Sequence, residues 1–153
     1  LAAKNPGKFS FNRGFNDKLA HKIYAGSDFF VMPSKSEPCG LGQMIAMRYG
    51  SSPVAHWTGG LAASIEQFDI SAKKGTGFLF RDYTESALLN SLMGAVEAYY
   101  KGPELMKSLV LNCMRKNFSW EKPVRNYISL YNTLQRKKNI EWLEFLKQHA
   151  AGY

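Results

Sequence analysis

Acidic residues are the scarce charged class. The 153 residues carry 12 Asp and Glu against 20 Lys and Arg, a formal net charge of +8. That balance suits an anionic partner, whether a nucleotide, a polyphosphate or nucleic acid, and by itself does not choose among them. No nucleic-acid-binding motif favours the last, so no nucleic-acid partner is expected. Cysteine is scarcer still: Cys39 and Cys113 are too few for a disulfide framework and fall in different expected elements. Both read as free thiols of a reducing, cytoplasmic compartment. His21, His56 and His149 have no metal-ligand spacing, and no metal site is expected. Nowhere do about 18 apolar residues follow one another, which argues against a membrane-spanning helix and a membrane partner. The N-terminus shows neither a signal-like segment nor an initiator Met, so a fragment is expected rather than a secreted protein.

What is present is 45% hydrophobic and long enough for one core. The chain is organised around Ser34-Lys35-Ser36-Glu37-Pro38-Cys39-Gly40-Leu41-Gly42-Gln43, with a second glycine turn at Thr58-Gly59-Gly60-Leu61. The apolar run Phe29 to Met32 precedes the first turn, and Met44, Ile45, Met47 and Arg48 follow it at helical spacing, so Glu37 and the glycines sit where a strand hands over to a helix. Open α/β sheets place their ligands there. Glycine lets a phosphate approach the backbone, and amides at the start of a helix attract it.

In chain order, alternation over Lys8–Asn12 predicts a short strand, and Asn16 or Asp17 caps a helix through Tyr24 with Leu19, Ala20, Ile23 and Tyr24 inward. Strands follow at Phe29–Met32, Pro53–Ala55 and Gly77–Phe80, with helices at Leu41–Tyr49 and Leu61–Glu66 between them. A longer helix begins at Asp82 or Thr84, with Leu88, Leu92, Ala95, Val96 and Tyr99 along one side. Leu105, Leu109, Val110 and Cys113 mark another. Ser119 is expected to cap a last helix carrying Trp120, Val124, Tyr127, Ile128, Tyr131 and Leu134 at spacings of three and four, and residues 140–149 either continue it or form a separate segment. Strands alternating with helices predict an α/β fold with a parallel sheet.

Gly14-Phe15-Asn16-Asp17, His21 to Asp28, Met32-Pro33-Ser34, Glu37-Pro38-Cys39-Gly40-Leu41, Ala46 to Gly50, Thr58-Gly59-Gly60-Leu61, Gly75 to Phe78 and Phe118 to Glu121 together resemble the C-terminal half of bacterial glycogen synthases and plant starch synthases, glycosyltransferase family 5. The resemblance implies a Rossmann-like parallel sheet flanked by helices, part of the C-terminal domain of a two-domain GT-B glycosyltransferase. Residues 1–138 would be a partial nucleotide-sugar-binding domain ending in long helices, and residues 139–153 a C-terminal helical tail. It implies retaining transfer of glucose from ADP-glucose to the non-reducing end of an α-1,4-glucan, with no cofactor beyond that substrate. The partners implied are ADP-glucose or ADP, the glucan, and the N-terminal domain of the same enzyme. The compartment implied is the cytoplasm, or the plastid in a plant.

On matching positions, Glu37 takes the place of the catalytic-centre glutamate, and a carboxylate there suits an oxocarbenium-like transition state. Cys39, Gly40 and Leu41 would meet the distal phosphate or the sugar, Phe15 would stack on the base, and Thr58, Gly59 and Gly60 would lie beside sugar and phosphates. Lys35-Ser36, Gly42 and Ala63 depart from residues common in the family, and its upstream donor-binding loop and basic pair have no counterpart here, so the fragment alone is expected to be inactive. Two alternatives stand beside this reading: a related retaining glycosyltransferase using UDP-glucose or another donor, and a non-catalytic binding module. Without the family, Glu37 reads equally as a solvated loop carboxylate and Phe15 as a core residue.

Overall fold

The structure, a computed structural model, describes residues 2–149. The last four residues of the expected tail lie outside the described residues. The fold is the α/β arrangement expected, with strands β1 (Phe29–Met32), β2 (Ser52–His56) and β3 (Phe78–Phe80) in a parallel sheet of order β1-β2-β3. Between them lie α2 (Gly42–Arg48) and α3 (Gly59–Ser64); α1 (Asp17–Gly26) precedes the sheet, and α4 (Glu85–Tyr100) and α5 (Pro103–Arg115) follow it. The chain divides into two units after Lys116. The first contains the sheet and α1 to α5.

Strand β2 is central and all five of its residues are buried, as a parallel strand covered on both faces must be. In register, Val31 sits opposite Val54, and Val54 opposite Phe78. Met47 of α2, Leu61 of α3, Ala95 and Ala98 of α4 and Leu109 of α5 close over it in one cluster. Complete burial of a Met or Leu side chain stabilises by about 1.5–3 kcal/mol each, so these few residues hold the helices on the sheet.

Caps explain where helices start. Asn16 Oδ1 accepts from Leu19 N at 3.0 Å and begins α1; Thr84 Oγ1 accepts from Ala87 N at 3.2 Å and begins α4. Each satisfies a first-turn amide that has no partner inside the helix.

The expected strand over Lys8–Asn12 is not formed. A strand needs a neighbour, and these residues pair with nothing in the sheet, leaving Phe9 and Phe11 45% and 75% exposed. The inner faces of two helices also differ from expectation. In α1 no residue is buried and Ile23 is exposed. In α4 Val96 and Tyr99 face outward; Ala95 faces inward as expected, together with Ala98. Gly94 of the same helix stands over the Phe78 ring, which a Cβ there would meet at an ordinary contact distance of 3.6 Å.

The second unit contains α6 (Glu121–His149), one continuous helix through residues 140–149. Ser119 lies two residues before its first residue, Glu121. The Asn117 Oδ1 accepts from Ser119 N at 2.8 Å, making a side-chain turn, and the helix follows with Val124 N donating to Trp120 O at 2.8 Å. The periodic stripe is real but uncovered, with Tyr127, Ile128, Tyr131 and Leu134 each about half exposed. No helix among the described residues is long and apolar enough to cross a membrane.

Candidate functional site

Because all three strands run parallel, the segments leaving their C-terminal ends emerge along the same edge of the sheet. They are Pro33–Leu41 after β1, Trp57-Thr58 after β2, and Arg81–Thr84 after β3. Glu37 and the residues from Cys39 to Leu41 lie in the first; Thr58 leads α3 from the second, and Gly59 and Gly60 are its first residues.

The first two segments are in direct contact. Gly60 N donates to Glu37 O at 2.8 Å. A Cβ on Gly60 would stand 1.7 Å from Cys39 O, and one on Gly59 2.2 Å from Glu37 O, so the backbones touch where only glycine fits. These two glycines therefore join the loops whatever else they contact. The amide of Gly60 is committed to Glu37.

The Glu37 carboxylate is half-buried, with Oε2 accepting from Ser34 Oγ at 3.3 Å. It is thus oriented by its own loop and still reachable from outside. Cys39 is exposed and Leu41 is 68% exposed on the same turn. Phe15 stands free, 95% exposed, with no ring contact to either loop among the described residues. An aromatic left in water on a loop before α1 is available to a flat ligand and contributes nothing to the core.

Two residues that sequence reasoning gave no role hold the loops in place. His56, buried at the end of β2, sets Nδ1 2.9 Å from Ser34 O and Nε2 3.2 Å from Arg81 O, joining the first segment to the third. Gln43, fully buried in the first turn of α2, directs Nε2 at Cys39 O, Gly40 O and Ser64 Oγ. The available signal was a polar residue on the inward face of an otherwise apolar helix. Beside them Arg81 lies 4.3 Å over the exposed Trp57 ring, a cation held by an aromatic face at this same edge. Among the described residues no group of three His, Cys, Asp or Glu side chains is placed to hold a metal ion.

No protein-family model matches the chain. It is similar to the glycogen synthase of Petrotoga mobilis, 49% identical over 133 residues that make up 87% of this chain and 28% of that protein. The glycogen synthase of Lactococcus lactis is 48% identical over 134 residues, 88% of this chain and 28% of the relative. Among solved structures, the catalytic domain of starch synthase IV from Arabidopsis thaliana, bound to ADP and acarbose, matches with a TM-score of 0.71 and 42% identity, covering 78% of this chain and 25% of that one. The expected resemblance therefore holds over most of the chain, and the fold matches part of a GT-B glycosyltransferase domain. The chain spans little more than a quarter of the length of the curated relatives it matches.

Proposed function

We propose that this chain, a homologue of the glycogen synthases over most of its length, is the nucleotide-sugar-binding part of a retaining glucosyltransferase that moves glucose from ADP-glucose to the non-reducing end of an α-1,4-glucan. The observation that carries the reading is the packing of the Glu37–Leu41 loop against Thr58-Gly59-Gly60 at the C-terminal edge of the sheet, in a chain 40–49% identical to glycogen synthases.

In this reading Phe15 stacks on adenine, and the amides of Cys39, Gly40 and Leu41 meet the distal phosphate or the sugar. Thr58 and Gly59 border the same ligand, and Gly60 keeps their loop against Glu37. The Glu37 carboxylate holds donor-sugar hydroxyls and offsets the positive charge that develops at the anomeric carbon. It is not a covalent nucleophile. The bond from the anomeric carbon to the diphosphate breaks, a bond to the glucan hydroxyl forms on the same face, and ADP leaves. No metal or organic cofactor takes part.

Turnover belongs to a longer protein, in which an N-terminal domain would close over the donor, exclude water and supply further cations for the diphosphate. The 153 residues alone are expected to bind nucleotide without transferring sugar. Calorimetric titration of the chain with ADP and with UDP at two salt concentrations tests the reading. Preference for ADP supports it; preference for UDP replaces it with the alternative donor, and binding of neither removes the proposed nucleotide site from this chain.

A further inference from the structure

Gln43 is the most completely buried polar side chain beside the site, and its environment is lopsided. Its two Nε2 hydrogens are shared among three acceptors: Cys39 O at 3.2 Å, Gly40 O at 2.9 Å and Ser64 Oγ at 3.1 Å. The single Ser64 hydroxyl proton goes to Gly60 O at 2.6 Å, so Ser64 presents a lone pair to Gln43. Meanwhile Gln43 Oε1 is buried without any hydrogen-bond partner. The amide cannot remedy that by rotating, because its oxygen would then face the carbonyls of Cys39 and Gly40.

The consequence follows from peptide geometry. No peptide bond among the described residues is cis, and across a trans peptide the C=O and the next N–H point in opposite directions. Drawing the carbonyls of Cys39 and Gly40 inward onto Gln43 therefore turns the N–H groups of Gly40 and Leu41 outward. No protein group among the described residues accepts from either amide. Gly40 can hold this shape because its φ is +69°, a conformation that a side chain disfavours.

We propose that Gln43 is a positioning residue of the donor site: it fixes the direction of the Gly40 and Leu41 amides so that both donate to the distal phosphate of a nucleoside diphosphate, and through Ser64 it locks that loop to Gly60. This rests on the functional reading above and adds to it a residue that touches no ligand.

The test is a titration of the isotope-labelled chain, followed by amide resonances, with ADP and with adenosine, in wild type, Gln43→Glu and Gln43→Met. Glu keeps the size and sets oxygen against the two carbonyls; Met removes the donors without repulsion. In wild type, ADP should shift the Gly40 and Leu41 amides. Both variants should lose about tenfold or more in ADP affinity, the scale of one hydrogen bond to a charged group, and retain wild-type affinity for adenosine, which lacks the phosphates. Variants that bind ADP as wild type does overturn the proposal and leave the functional reading intact. Equal loss of ADP and adenosine also overturns it, since a merely structural role would act on both. A wild-type chain that binds no ADP overturns the functional reading and this inference with it. If Gln43→Glu does not fold by circular dichroism, Gln43→Met decides by the same criteria.

Discussion

Phe15, Glu37 and Gly60 separate three jobs that a motif reading treats alike. Phe15 is almost wholly exposed, so Phe15→Ala should leave thermal stability unchanged within about 0.5 kcal/mol. The same change should weaken ADP binding by about 1–3 kcal/mol if the ring carries the base, and equal calorimetric affinities would remove that role. Glu37→Ala, assayed in the longer protein, should cut turnover far more than it changes the melting temperature, because among the described residues the half-buried carboxylate has only the Ser34 hydroxyl, at 3.3 Å, as partner. Gly60→Ala behaves oppositely. Its new Cβ meets the Cys39 carbonyl, a backbone atom that cannot swing aside, so the loops must part and the Gly60 N to Glu37 O bond must lengthen. A loss of about 1–3 kcal/mol in denaturant unfolding is expected, and a fully stable variant would show that the two loops are not packed as described.

The elements differ in how far their own sequence dictates their burial. Helix α5 follows its periodicity: Leu105, Leu109 and Cys113 are all buried. Leu109→Ala, at a position with no exposure, should cost about 2–5 kcal/mol, read as a lower denaturation midpoint at unchanged slope. Helix α4 shows the limit of the same reasoning. Spacing of large apolar residues points to Val96 and Tyr99, yet both are exposed, and Ala95 and Ala98 are the buried positions. The segment Lys8–Asn12 alternates as a strand should but pairs with neither edge of the sheet. Helix α6 runs unbroken through residues 140–149, which spacing alone left as either a continuation or a separate segment.

At the scale of the whole chain, the sheet core sets a pH limit. Burial pushes the Cys113 thiol from 9.0 up to about 12, with its Sγ 3.0 Å from Thr76 O. Between those values the unfolded chain gives up a proton that the native chain keeps. The stability contribution is therefore complete below about pH 9 and declines above it by about 1.4 kcal/mol per pH unit. Urea midpoints measured across this range should fall, and Cys113→Ala should flatten the fall; an unchanged slope in that variant would place the titration elsewhere. The basic balance, the α/β alternation and the two glycine turns around Glu37 were legible in the residues, and the caps were narrowed to Asn16 or Asp17 and to Asp82 or Thr84, because such signals depend on neighbours within a few positions. Contact between those turns was not, since Glu37 and Gly60 meet only once β1 and β2 lie side by side. Nor were the roles of Gln43 and His56, whose partners come from other segments of the chain. Sequence alone determined that Glu37 and two glycine turns stand where strands hand over to helices. Tertiary structure decided which backbone groups those turns spend on each other and which remain for a ligand, because hydrogen bonds between distant segments exist only after the sheet has brought them together.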